Sequence, residues 1–315
     1  MPATKFILLQ LLLTGLFSSC HSVTEHSATD SVPRVSYARL DLKKDTTLFM
    51  PPREIGVMDD SDLSESSGLA PSHRNPGYLW TEEDSGNSNQ IQLIRPDGSI
   101  VARFYVDGAE NRDWEDIAVG PGPVPGETYI YLADIGDNQL RYPEKIIYRF
   151  PEPTIAGQKF PFVGHVTHPD TIRLQLPNGP QNAEAILVDP ITKDLFILSK
   201  GDRTELYRAT FPQSLTQPTM MTPLLLLPFE NVTAGAISTD GQYLLIRMYA
   251  QLFYYTRQSG ETIPDALKRA PRLVPLGKEA QGEAVSWSLD GTAYYTGTEK
   301  TFLTAQSIYV YQRKK

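Results

Sequence analysis

The 315-residue chain has a single cysteine, Cys20, so an internal disulfide cannot form and a cysteine-based zinc cluster is excluded. Histidine is scarce, at 5 residues. Two of these, His165 and His168, stand three apart in a strand-like run, which puts them on opposite faces and rules out a shared metal. No Gly-x-Ser-x-Gly elbow occurs. The glycine-rich stretch 120–126 is interrupted by prolines, so it cannot cradle a phosphate ahead of a helix. Basic charge is in deficit: 29 Lys and Arg against 37 Asp and Glu leave a formal charge of −8, which argues against a nucleic-acid partner. What the chain does have is 25 prolines, 22 glycines and 16 tyrosines, a composition of short strands joined by many turns.

The amino end carries its own signal. Lys5 is followed by Phe6-Ile-Leu-Leu-Gln-Leu-Leu-Leu-Thr-Gly-Leu-Phe17 and then Ser18-Ser19-Cys20, a charged start, a short apolar run and small residues at a cleavage point. The run is too short for a permanent membrane helix. The sole cysteine directly after two serines resembles a bacterial lipobox, with Phe17 as a departure where Leu, Val or Ile is usual. That resemblance implies cleavage before Cys20 and acylation of its sulfur and amino group; each buried methylene would add about 0.8 kcal/mol of membrane affinity. Residues 1–19 are thus expected to be a lipoprotein signal peptide. Residues 20–52, rich in Ser, Thr, Asp and Lys, are expected to be a flexible tether with one strand around 34–42, and residues 53–315 the folded body. The expected address is the bacterial cell envelope, extracytoplasmic, on the outer membrane or facing the periplasm, with the membrane engaged through Cys20.

The body repeats itself. Five segments share a lead residue, a strand, a turn and a second strand: Glu65-Ser-Ser-Gly-Leu-Ala70, Glu115-Asp-Ile-Ala-Val-Gly120, Glu184-Ala-Ile-Leu-Val188, Gly235-Ala-Ile-Ser238 and Glu283-Ala-Val-Ser-Trp287. The lead residues recur at roughly the 40–50-residue period of a four-stranded propeller blade. One interval is longer and holds inserts at 120–126 and 151–162 that read as surface loops. Each unit adds a third strand, and the first four add a fourth. The last unit ends without one, whereas the strand at 53–58 has no unit of its own. The expected fold is therefore an all-β, five-bladed β-propeller closed by that early strand in the last blade, with six blades as the alternative if the long interval hides one. Asp-Gly pairs at 97–98, 240–241 and 290–291 suit tight hairpins.

In such a ring the residue before each first strand and those after each second strand share one mouth of the central channel. Glu65, Glu115, Glu184 and Glu283 form the first set; Asp84, Asp134, Asp137, Asn138, Lys200, Arg247 and Glu299 form the second. Crowded carboxylates in a half-dry funnel repel one another, and a hard cation such as Ca2+ accepts many oxygen ligands from different loops. Metal ligation is assigned to Glu65, Glu115, Asp134, Asp137 and Asn138. Glu184 or Glu283 would serve as general base, and Lys200 with Arg247 would steady an anion. A second reading stands beside it, in which the glutamates accept backbone N–H bonds and hold the blades in register. Trp80, Trp114 and Trp287 read as packing between blades.

Five pieces, Glu65-Ser-Ser-Gly-Leu-Ala70, Asp113-Trp-Glu-Asp-Ile-Ala118, Ala133-Asp-Ile-Gly-Asp-Asn138, Asn182-Ala-Glu-Ala185 and Gly282-Glu-Ala284, resemble a group of largely uncharacterised secreted bacterial propellers. More distantly, the first resembles the opening of esterase-like phytases and of lactonase-like calcium propellers. That resemblance implies calcium on channel carboxylates and attack by water on a phosphate or lactone. Two functions follow as expectations: a lipid-anchored, monomeric propeller binding a cation, a small molecule or a protein at its mouth, or a calcium-dependent hydrolase of a phosphoester or lactone-like substrate.

Overall fold

The computed structural model describes residues 32–35, 37–58, 63 and 65–315. The expected signal segment 1–19 and the expected lipidation site Cys20 lie outside the described residues. The first strand, β1 (Arg53–Val57), pairs with the last strand of the chain and belongs to blade five. Blade one is β2 (Ser66–Pro71), β3 (Leu79–Glu83), β4 (Gln90–Ile94) and β5 (Ile100–Val106). Blade two is β6 (Trp114–Pro121), β7 (Thr128–Asp134), β8 (Glu144–Pro151) and, after β9 (Phe162–Val166), β10 (Asp170–Gln175). Blade three is β11 (Ala183–Val188), β12 (Leu195–Ser199), β13 (Thr204–Ala209) and, after β14 (Thr219–Met220), β15 (Thr222–Leu227). Blade four is β16 (Val232–Ile237), β17 (Tyr243–Met248), β18 (Gln251–Thr256) and β19 (Arg272–Val274). Blade five is β20 (Gly282–Trp287), β21 (Ala293–Thr298), β22 (Ser307–Gln312) and β1.

The inner strands neighbour one another in the closed order β2, β6, β11, β16, β20 and back to β2, so the molecule is a five-bladed β-propeller. Burial follows position. The inner strand β11 is buried at every residue because blades cover both its faces, whereas the outer strand β10 alternates, with Ile172 and Leu174 inward. The closing strand holds the register Arg53 to Val310, the closure expected from the unpaired first and last units. The tight turns form as read: Asp97, Asp240 and Asp290 each accept the N–H two residues on, at 2.9, 3.0 and 3.1 Å. The tryptophans pack as expected, Trp287 tilting against Tyr243 and Tyr254 of blade four.

Blades one to four also have their outer edge covered, while the outermost strand of blade five is β1 itself. The long interval hides no sixth blade: β9 crosses to blade one and pairs parallel with β5. Likewise β14 leaves blade three and pairs parallel with β10 of blade two. The amino-terminal segment does the rest. Arg34 bridges Leu226 on blade three, Lys44 bridges Leu273 on blade four, and Phe49 bridges Arg313 on blade five. The expectation of a solvated tether up to residue 52 is therefore corrected for its described part. Phe49 is 1% exposed and packs on Tyr254, Tyr294 and Trp287, while the Tyr37 and Tyr255 hydroxyls meet at 2.7 Å. The polar composition of 32–52 is real; three short bridges onto sheet edges, with backbone groups as the partners, are invisible to side-chain periodicity. Covering edges removes templates for further strand addition.

Candidate functional site

All five inner strands carry a β-bulge at the same end. The register slips between Ser66 and Leu69, Trp114 and Asp116, Ala183 and Ala185, Val232 and Ala234, and Gly282 and Ala284. A bulge frees one residue from the ladder and re-aims its side chain. The freed residues are Glu115, Glu184, Thr233 and Glu283, so the fourth unit contributes Thr233 to the mouth and not Gly235, which sits two residues further down the channel. Thr233 spends its hydroxyl on Gly282 O at 3.0 Å. In blade one the freed stretch is Ser67-Gly68, and the carboxylate comes from the neighbouring strand. Glu82 Oε1 lies 2.7 Å from where a Cβ on Gly68 would stand. Glu65 lies above, exposed on the rim, its carboxylate taking the Asn87 amide at 2.9 Å.

The glutamates do converge, but the tightest group lies to one side of the axis. Asp84, Asp113 and Glu115 each bring a carboxylate oxygen within 4.8 Å of the other two. Gly136 permits this: a side chain there would collide with the carboxylates of Glu115 and Asp113. Burial, then the charge of Asp84, pushes Asp113 up to about 6. Burial, then the charges of Glu184, Asp84 and Asp113, raises Glu115 well above the carboxylate range. Neither is in an ion pair among the described residues. On the neighbouring blade Glu184 is pushed up to about 7 by burial, against the pull of Lys200, whose Nζ is 2.8 Å away. Glu299 rises to about 8 through burial and then the charges of Glu283, Asp84, Glu65 and Glu184.

The remaining expected site residues are engaged elsewhere. Asp134 is fully buried, accepting Arg112 Nε at 2.7 Å and the Asp113 N–H at 3.0 Å. Asp137 accepts the N–H groups of Arg141 and Tyr142 at 2.6 and 2.8 Å. Burial pushes it up, but those bonds and Lys145 outweigh burial and hold it low. Asn138 is exposed and bonds Asn182 at 3.1 Å. Asp137 and Asn138 line a side cavity of about 210 Å³ with Asp113, Arg112 and Tyr142, and of these only Asp113 joins the acid cluster. Arg247 is corrected outright. Its fully buried guanidinium pairs with Glu279 at 2.7 Å and donates to Ala284 O at 2.7 Å, stapling blade four to blade five behind the mouth.

Deeper in the channel, Asp116 is 1% exposed and accepts the N–H of Ile117 and Ile186, both at 2.9 Å, and that of Gly235. One carboxylate thus ties blades two, three and four, which is the register-holding role assigned at the outset to the glutamates. Beyond it the channel opens at the opposite end into an apolar cavity of about 300 Å³, lined by Leu69, Ile117, Ile186 and Trp287 among others. The motif reading passed over Asp84, Asp113 and Glu82 as ligands. The signal for Glu82 and Asp84 was the run Glu82-Glu83-Asp84, in which alternate acids share one strand face.

No protein-family model and no curated protein matches the chain. Among solved structures, the chain is similar to U3-55K, with TM-score 0.38 and 11% identity over 78% of this chain and 67% of that one. It is also similar to the RRP9 WD40 repeats, with TM-score 0.40 and 9% identity over 78% and 79%.

Proposed function

We propose that the protein is a binding propeller whose acidic mouth holds a hard divalent cation, Ca2+ fitting best, on Asp84, Asp113 and Glu115. The convergence of three carboxylate oxygens within 4.8 Å, with no cation of the protein paired to Asp113 or Glu115 among the described residues, carries this reading. An all-oxygen donor set from separate loops suits calcium rather than a softer metal. The bound ion would offer its open positions to an anionic group of a small molecule or protein. The distant resemblance to lactonase-like calcium propellers supports the ion, and the Lys5–Cys20 leader supports a lipid-anchored, extracytoplasmic address. The test is thermal melting with Ca2+ and with chelator. At a hundredfold excess over Kd, one bound ion stabilises by about 2.7 kcal/mol. Asp113→Asn with Glu115→Gln is expected to abolish that gain, and a wild-type melting point indifferent to Ca2+ defeats the proposal.

A hydrolytic reading rests on one observation, a buried Glu184 titrating at about 7 beside Lys200, which is the range of a general base. Glu283, also raised by burial, would be its neighbour in that role. Turnover of a phosphoester or lactone panel, lost in Glu184→Gln, is the measurement that would favour it.

A further inference from the structure

Glu82 is a carboxylate with nothing to answer it. Its side chain is fully buried, and neither oxygen has a hydrogen-bond partner. The Gly68 N–H leans toward it from outside hydrogen-bonding geometry. Buried polar groups in folded proteins are paired almost without exception, and an orphan marks a missing water or ion. The charges that act on Glu82 are those of Asp116, Asp84 and Glu83, and all are negative. Water alone would leave that repulsion standing.

Its position is set by two features already described. Glu82 and Asp84 are two apart at the end of β3 and therefore share a face, with Asp84 at the mouth and Glu82 one step inward. Gly68 lacks the Cβ that would otherwise fill the gap. Around the point where it would stand lie Glu82 Oε1 at 2.7 Å, Ile117 N at 2.7 Å and Asp116 Cα at 3.0 Å. Glu82 thus comes up against the backbone of the residue whose carboxylate ties three blades.

We infer that the channel holds a second cation position inward of the mouth, formed by the carboxylates of Glu82 and Asp116. This deepens the reading of the mouth as a cation site and rests on it. Asp116 is pinned by three N–H groups and keeps its carboxylate fixed, with lone pairs to spare, while Glu82 is free to turn onto an ion. Two carboxylates balance one divalent ion, and both offer only oxygen, so the ligand class is again a hard dication.

Calcium titration calorimetry on the full-length protein tests it. Wild type is expected to bind two Ca2+ per chain, Glu82→Gln one, and Asp113→Asn with Glu115→Gln one. Glu82→Gln binding with wild-type stoichiometry and affinity overturns the interior position and leaves the mouth site standing. A wild type that binds one Ca2+ per chain, with none bound in either variant, also overturns it, since the acids then form one site. No binding in wild type ends both readings. Melting in chelator is the second measurement, because Glu82→Gln keeps the shape and removes a buried acid that, without an ion, must take up a proton on folding. The variant is expected to melt a few degrees above wild type in chelator and to gain less from Ca2+. An unchanged calcium increment counts against the inference.

Discussion

Lys200 Nζ stands 2.8 Å from Glu184 Oε1 and 3.0 Å from the Tyr249 hydroxyl, an ion pair set at the mouth. Lys200 holds Glu184 against burial, while its pull on Glu115 is outweighed by burial and by the surrounding acids. The excess negative charge has a consequence for stability. Asp113, Glu184 and Glu299 titrate at about 6, 7 and 8 in the folded chain, above their ordinary values of 3.8, 4.5 and 4.5.

The folded protein therefore keeps protons that the unfolded chain has already released. Their contribution to stability is fully present below about pH 4 and is lost as the pH rises through 6 to 8. Scanning calorimetry in chelator is expected to give a melting temperature that falls between pH 5 and pH 8. Saturating Ca2+ should flatten that slope, because the ion takes over from the protons.

Asp116→Ala leaves the N–H groups of Ile117, Ile186 and Gly235 buried without an acceptor. Each orphan costs about 1–3 kcal/mol, so a total loss on the order of 3 kcal/mol is expected in urea unfolding. Asp116→Asn keeps one acceptor oxygen and should lose less. The mouth ion should bind in both variants.

Arg247→Met strands Glu279, whose carboxylate also takes Thr296 and Tyr311 at 2.9 and 2.5 Å. Breaking a buried pair on one side costs about 3–5 kcal/mol. The double change Arg247→Met with Glu279→Gln should recover part of this, and Ca2+ affinity should not move in either. A fall in Ca2+ affinity without a fall in stability would return Arg247 to the mouth.

The fold was legible because it is written in repetition. Five turn-and-strand units, an unpaired first strand and an unfinished last unit lead to one closed ring, and β1 against β22 is that closure. The site was legible only to the level of a mouth. Aligning by lead residue placed Gly235 where the bulge puts Thr233, since a one-residue slip in the ladder leaves no mark on hydrophobic pattern. Asp134 and Arg247 look in sequence like free acid and free base at strand ends. Both are enclosed, by Arg112 and by Glu279, whose contacts depend on the packing of particular side chains. Asp113 was in view within Asp113-Trp-Glu-Asp, but its approach to Asp84 of another blade needed the three-dimensional ring.

The girdle of residues 32–52 fixes an order of mechanical failure. Tension applied at its amino end meets Arg34 on blade three first, then Lys44 on blade four, and only then Phe49 and the β1 clasp of blade five. Two sacrificial latches would peel before the ring itself is loaded. A body tugged from that side would thus loosen its belt well before it opened its seam.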